Sequence, residues 1–214
     1  MTLTSDSPVS TTFRHIYLAS RSPRRREILT QIGVRFEMLL LRDGSGRELD
    51  IDESPLPGEA PAEYVLRLAR QKAETGWSRM SQRRLPPAPV LAADTTVTVD
   101  GEIIGKPADR GEAFNVLRRL SGRTHEVHTA IAVKFESKLD ARLSSTTVTF
   151  GDLHDEAIRR YVTTGDAMDK AGAYGIQGKA AVFVKHLTGS YSGVMGLPAY
   201  ETAELLQGVG ITLP

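Results

Sequence analysis

LASRSPRRREIL, running from Leu18 to Leu29, joins the end of an apolar segment to four arginines packed into residues 21–26. The apolar segment, HIYLAS (His15 to Ser20), reads as a buried strand. Ser22-Pro23 then starts a helix: a serine hydroxyl at the N-cap satisfies a free N–H, and proline at the first helical position has none to lose. The helix is expected over Arg24 to about Ile32, with Gly33 ending it and Ile28, Leu29 and Ile32 forming its apolar stripe. A strand that runs straight into a helix aims free backbone N–H groups at the end of a sheet, which suits an anion. Arginines in that first turn oppose the helix dipole, and local rules are most often broken at functional sites. The plain reading is a solvated helix face; the sharper one is a grip on phosphate.

Outward from this unit, strands and helices alternate. Val34 to Leu41 (VRFEMLLL) reads as a second strand. The acidic, turn-rich RDGSGRELDIDESPLPGEAP follows as a loop, with a small hairpin expected at Asp43-Gly44. Helical periodicity returns from Ala60 to Met80 and ends before LPPAP. Val90 to Val99 (VLAADTTVTV) is the strongest central strand, turned at Asp100-Gly101 into EII and then Gly105-Lys106-Pro107. Asp109 with Glu112 forms a capping-box start for a helix to Leu120. Glu126 to Phe135 and Arg142 to Phe150 pair as a hairpin, and His154 to Val162 is helical. Ala180 to Leu187 is another strand, and Pro198 opens a last helix ending near Gln207 and Gly208. The fold class is therefore α/β with a mixed sheet. Residues 1–14 read as a loose polar tail without an apolar core of the kind a secretory signal carries, and residues 15–214 as one domain.

The chain has 214 residues, 40% hydrophobic and 25% charged, which is enough for one large domain or two lobes around a cleft. Its 27 basic and 26 acidic residues leave a formal charge of +1, so no global field gathers nucleic acid or an anionic membrane, and any basic site is local. There is no cysteine, which removes disulfides, thiolate zinc sites and cysteine nucleophiles, and fits a reducing, cytoplasmic setting. No apolar run approaches the ~20 residues of a membrane helix.

Several residues could carry chemistry. Asp94 closes an apolar run before Thr95 and Thr96; such a carboxylate suits a metal or a general base, and equally a turn. Lys106 is held between glycine and proline, and Lys72 lies on a helix in RLARQKA; both types are more often plain surface. Glu53, in the acidic loop, is ambiguous by itself. KAGAYGIQG (Lys170 to Gly178) is too rich in small residues for a helix and matches neither a dinucleotide fingerprint nor a P-loop. It reads as backbone passing close to a ligand, with Gln177 able to read a base edge, or as a tight turn. His125 and His128, three apart on a strand, point to opposite faces and are assigned to structure. No G-x-S-x-G elbow is present.

Taken together, Ser20-Arg21-Ser22-Pro23-Arg24-Arg25, Ala93-Asp94-Thr95, Gly105-Lys106-Pro107, Leu120-Ser121-Gly122 with His125, DKAGAYGIQG from Asp169, and Gly189-Ser190-Tyr191 through Pro198 resemble the Maf family of nucleoside triphosphate pyrophosphatases. The likeness runs in order from His15 to the last helix. It implies an elongated α/β fold with two lobes around a central mixed sheet and cleft, similar to inosine triphosphatases. It implies hydrolysis of a nucleoside triphosphate to monophosphate and pyrophosphate, a divalent metal (magnesium, with manganese as a substitute), and a homodimer. Arg24, Thr95 and Gln177 are similar to members acting on dTTP and UTP. By the same resemblance Asp94 is catalytic, Glu53 and Asp94 hold the metal, and Ser22, Arg24, Arg25, Lys72, Thr95, Lys106 and Gln177 bind substrate. Two departures stand out: Gly193 precedes Val194 where asparagine is common, and the segment between Phe36 and Glu53 is long. The competing reading is a nucleotide-binding regulator of cell division or septum formation with little turnover. A nucleic-acid partner is disfavoured by the balanced charge and the lack of a stacking platform.

Overall fold

A computed structural model describes residues 15–42 and 50–213. The polar tail and the turn expected at Asp43-Gly44 lie outside the described residues. The elements in chain order are β1 Ile16–Leu18, α1 Pro23–Gln31, β2 Phe36–Met38, α2 Pro61–Gln82, β3 Val90–Val99 and β4 Glu102–Ile104. They continue with α3 Arg110–Leu120, β5 Thr124–Phe135, β6 Lys138–Phe150, α4 Asp155–Thr163, β7 Val184–Thr188, α5 Tyr191–Met195 and α6 Ala199–Gln207. The strands form one mixed sheet in the order β2-β1-β3-β5-β6-β7, with β4 on β3.

One edge of β3 decides where a site can form. Parallel β1 pairs with its start, through Leu18 against Leu91, and antiparallel β4 pairs with its end, from Ile104 against Val97. Between these two partners no strand among the described residues pairs with the edge at residues 92–96, which is left open. The chain leaves β1 at Ala19, whose N–H donates to Leu91 O, and turns into α1 beside that gap. On its other edge β3 is paired with β5 from Val90 to Thr98.

The two faces of the sheet are covered differently. α2 packs on one face, with Val65, Ala69, Ala73 and Met80 against Val90, Ala92, Ala130 and Ala132. Small residues let the helix lie close: a Cβ on Gly76 would stand 2.8 Å from Val90 Cγ1. The opposite face carries two clusters. One, around Ile28, Leu29, Leu91, Ala93, Ile131 and Leu206, joins α1 and α6 to the sheet. The other, around Val97, Val99, Leu117, Val127, Phe150, Ile158 and Phe183, joins α3 and α4. β3 and β5 run through both, so the two lobes share their strands.

Several expectations meet the structure directly. Asp109 accepts from Glu112 N at 2.8 Å and Glu112 accepts from Ala108 N at 2.7 Å, the reciprocal pattern of a capping box. Asp100 and Gly101 both hold positive φ, as a tight hairpin turn requires. Others are corrected. The Ser22 side chain makes no cap hydrogen bond; Ser22 N instead donates to Ser20 Oγ. The strand expected over Val34 to Leu41 is Phe36–Met38 alone, because β1 turns away and leaves Leu40 and Leu41 no ladder partner among the described residues. Ala180 to Leu187 begins as a 3-10 turn over Lys179–Phe183, and only Val184–Thr188 is strand. A short apolar run does not by itself separate these two conformations. Pro198 is the N-cap of α6 rather than its first residue, and α5 precedes it.

Candidate active site

The gap in the β3 edge opens into a cleft of about 790 Å³, within the range of small-molecule sites. Every residue singled out from the sequence for the site lines it: Ser22, Arg24, Arg25, Glu53, Lys72, Asp94, Thr95, Lys106 and Gln177. One end is charged, with Arg21, Arg24, Arg42, Lys72, Glu53 and Asp94. The other is mainly apolar, with Val97, Val127, Ala171, Tyr174, Val194 and Met195.

Asp94 and Thr95 stand on opposite faces of β3, since successive strand residues alternate. Asp94, 8% exposed, faces α2, where Lys72 Nζ lies 2.7 Å from its Oδ1. The same ammonium lies 2.7 Å from Glu53 Oε1. Two carboxylates thus converge on one cationic point at the open edge of the sheet. Burial pushes the Glu53 carboxyl up, but Lys72, then Lys106 and Arg25, outweigh it and hold the group below its ordinary value. Oxygen donors at such a point fit a hard divalent cation. Among the described residues no group of three or more His, Asp and Glu gathers to hold one. A pair of carboxylates suits magnesium, which keeps waters and takes phosphate oxygens as further ligands.

The arginine run divides. Arg24 faces the cleft, its Nη1 3.8 Å from Asp169 Oδ2. Arg25 turns inward: Nε donates to Gly196 O at 2.8 Å, Nη1 to Ser20 Oγ at 3.0 Å and Nη2 to Thr95 Oγ1 at 3.2 Å. All three of its nitrogens hold protein atoms, so Arg25 ties the β1 exit to the Gly196 turn, and only its remaining N–H groups could meet a phosphate. Arg21 Nη2 donates to Leu41 O, and Arg26 is exposed away from the cleft. The first turn of α1 holds no acid and no side-chain cap, so its N–H groups keep their anion-binding character.

The glycine-rich run closes the apolar end. Ala171–Ala173 is a 3-10 turn in which Gly172 has φ 68° and Ala173 φ 58°. A Cβ on Gly172 would stand 2.8 Å from Val97 Cγ2, so glycine is required there. Positive φ at a buried alanine is strain of the sort kept at functional sites. Tyr174 is anchored from behind by His125, whose Nε2 lies 2.8 Å from its hydroxyl, and the Phe150 ring packs edge-on against both. His128 is on the other face, bonded to Ser145 Oγ, so the two histidines do not meet. Beyond this anchor the exposed Gln177 lies at the cleft wall.

Three further groups escaped the sequence reading. Tyr64 donates its hydroxyl to Glu53 O at 2.9 Å, and burial and the neighbouring Asp94 and Glu53 charges push its pKa up to about 12. It fixes the Glu53 backbone from one turn of α2 while Lys72 meets the side chain from another. Arg67 supports the same loop, paired with Glu59 at 2.6 Å and donating to Ser54 O. Asp169 and Lys170 pair with each other beside Arg24, and both line the cleft. Their signal was the pair of charges directly before the glycine run.

This chain belongs to the Maf family. Residues 15–209 match the family model described as Maf-like protein. The dTTP/UTP pyrophosphatase of Dechloromonas aromatica (strain RCB) is 56% identical over 195 residues, 91% of this chain and 97% of that protein. The dTTP/UTP pyrophosphatase of Nitrosomonas europaea is 54% identical over 198 residues, 92% of this chain and 96% of its own. Among solved structures, the Staphylococcus aureus Ham1 protein aligns with 64% of this chain and 72% of its own at a TM-score of 0.44 and 16% identity. No helix among the described residues is long and apolar enough to cross a membrane.

Proposed function

We propose that this Maf protein hydrolyses nucleoside triphosphates, dTTP and UTP foremost, to the monophosphate and pyrophosphate, and so clears those or modified pyrimidine nucleotides from the pool. The observation that carries the reading is Lys72 held between Glu53 and Asp94 at the open edge of β3, in a chain more than half identical to proteins named for that activity. That name also favours turnover over a purely regulatory role in cell division or septum formation.

Glu53 directly, and Asp94 through water, would hold the magnesium, or manganese in its place, whose bound charge offsets that of the phosphates. The chain's own residues do the rest. Arg24, Lys106 and the first-turn N–H groups of α1 bind the phosphate chain, the arginine as a planar fork and the lysine as a point charge. Asp94 Oδ1 is occupied by Lys72, so Oδ2 accepts the proton of the attacking water. The water oxygen bonds to the α-phosphorus, the bond from that phosphorus to the bridging oxygen breaks, and pyrophosphate departs with the electron pair. Lys72 keeps Asp94 oriented, and the cations stabilise the charge growing on pyrophosphate. The apolar end, with Tyr174, Met195 and Gln177, receives the base. Arg25 acts by positioning, through Gly196 and Thr95. The setting carried over from the family likeness is a cytoplasmic homodimer, which sedimentation of the purified chain checks.

Ion-exchange separation of products after incubation with magnesium and each common NTP and dNTP tests the reading. Monophosphate with pyrophosphate, fastest for dTTP and UTP, is expected. Diphosphate with orthophosphate rejects the mechanism.

A further inference from the structure

Thr129 is fully buried on β5, directly opposite Thr95 on β3. Its Oγ1 lies 2.8 Å from Gly193 O and 3.0 Å from Thr95 Oγ1. Thr129 Oγ1 is the donor in both contacts, so its one proton is shared between Gly193 O, the nearer acceptor, and Thr95 Oγ1. Thr95 Oγ1 accepts a second hydrogen bond, from Arg25 Nη2 at 3.2 Å. The result is a hydrogen-bonded chain that links Arg25, Thr95 and Thr129 to Gly193 O.

The chain has a mechanical consequence. Gly193 O is tied by Thr129 in the middle of α5 (Tyr191–Met195), and Gly196 O is tied by Arg25 just past its C-terminal end. Between these ties lie Val194 and Met195, which line the apolar end of the cleft. Gly193 is also the position at which the sequence departs from the family pattern. A Cβ there would stand 3.1 Å from Ser190 Cβ and 3.2 Å from Ser144 Oγ. A bare glycine lets its carbonyl settle against Thr129.

We propose that Thr129 is a specificity-positioning residue: through Gly193 it pins the Val194–Met195 wall and sets the width of the base end. The inference rests on the nucleotide reading above. A pinned wall fits a single-ring base, and a loosened wall admits a purine.

The test compares the whole chain with Thr129→Val and Thr129→Ser, measuring kcat and KM for dTTP and dGTP with magnesium, and the thermal midpoint. Removing one buried hydrogen bond should lower the dTTP-to-dGTP ratio of kcat/KM by about threefold or more in Thr129→Val. The change should be carried by KM, and Thr129→Ser should hold the wild-type ratio. An unchanged ratio in folded Thr129→Val, or an equal fall in Thr129→Ser, overturns the proposal. If Thr129→Val does not fold, Thr129→Ala removes the same hydroxyl and is read in its place. Failure of both to fold assigns Thr129 to the core and also overturns the proposal. Wild-type protein that turns over neither nucleotide instead overturns the underlying reading.

Discussion

Lys72 and Asp94 meet across the interface of α2 and β3, Nζ to Oδ1 at 2.7 Å, with only 13% and 12% of the two side chains exposed. Both are charged groups brought to the margin of a core made largely of alanines. Such a contact is costly unless both partners are satisfied. Here Glu53 shares the ammonium, so neither Lys72 nor the loop that carries Glu53 depends on Asp94 alone.

That sharing makes Asp94→Asn a clean test. The amide keeps the shape, and Lys72 retains Glu53, so the thermal midpoint should move little. Loss of the proton acceptor should lower kcat by about 10²–10⁴-fold. Steady-state turnover of dTTP beside a thermal melt reads both. Unchanged turnover in a folded variant removes Asp94 from the mechanism.

Gln177→Ala should act on choice rather than speed. The exposed side chain lines the cleft three residues past Tyr174, which His125 anchors. An amide that reads a base edge contributes discrimination, so the ratio of kcat/KM between dTTP and dCTP should shrink about tenfold, with kcat for dTTP within a small factor of wild type. An unaltered ratio argues that base choice lies in the walls alone.

Much of this was legible in the chain itself. β3 was visible because Val90 to Val99 is apolar and β-branched, and the cap at Asp109 because its chemistry is local. All nine site residues named from the sequence line one cleft: Ser22, Arg24 and Arg25 at the β1–α1 junction, Glu53, Lys106 and Gln177 in loops, Asp94 and Thr95 at the middle of β3, and Lys72 on α2. What could not be read was direction. SPRRR looks like three equivalent cations, yet its alternation around a helix sends Arg24 to the cleft, Arg25 inward and Arg26 outward. Nor could Thr129 be seen, since its partner Thr95 is 34 residues away and only the pairing of β3 with β5 brings them together. Long-range register of this kind has no local signature.

Gly172→Ala probes the strained turn. The residue holds φ 68°, and the added methyl would meet Val97 Cγ2 at 2.8 Å. Left-handed backbone costs an alanine about 1–2 kcal/mol. Overpacking adds about 1–3 kcal/mol. A destabilisation of about 2–5 kcal/mol is expected in urea, together with weakened nucleotide binding, because Val97 and Ala171 both line the cleft. A change below half a kilocalorie would mean that the turn relaxes freely.

The last prediction concerns pH. Burial lowers the pKa of His125 from its ordinary 6.5 to about 4, so the folded protein holds the ring neutral. The unfolded chain takes up a proton near pH 6.5 and the folded protein only near pH 4, so between these values the unfolded state binds more protons. Stability therefore rises with pH across that window, is fully present above pH 6.5, and is lost as the pH falls toward 4. The size, for a largely buried group, is about 3 kcal/mol. Replacing the ring with one that cannot titrate, His125→Phe, should remove this part of the slope while lowering stability at neutral pH through loss of the Tyr174 hydrogen bond. Urea unfolding at several pH values from 4 to 7 reads both effects. Parallel pH profiles for the two proteins would show that the unfolding slope arises elsewhere and that His125 titrates alike in both states.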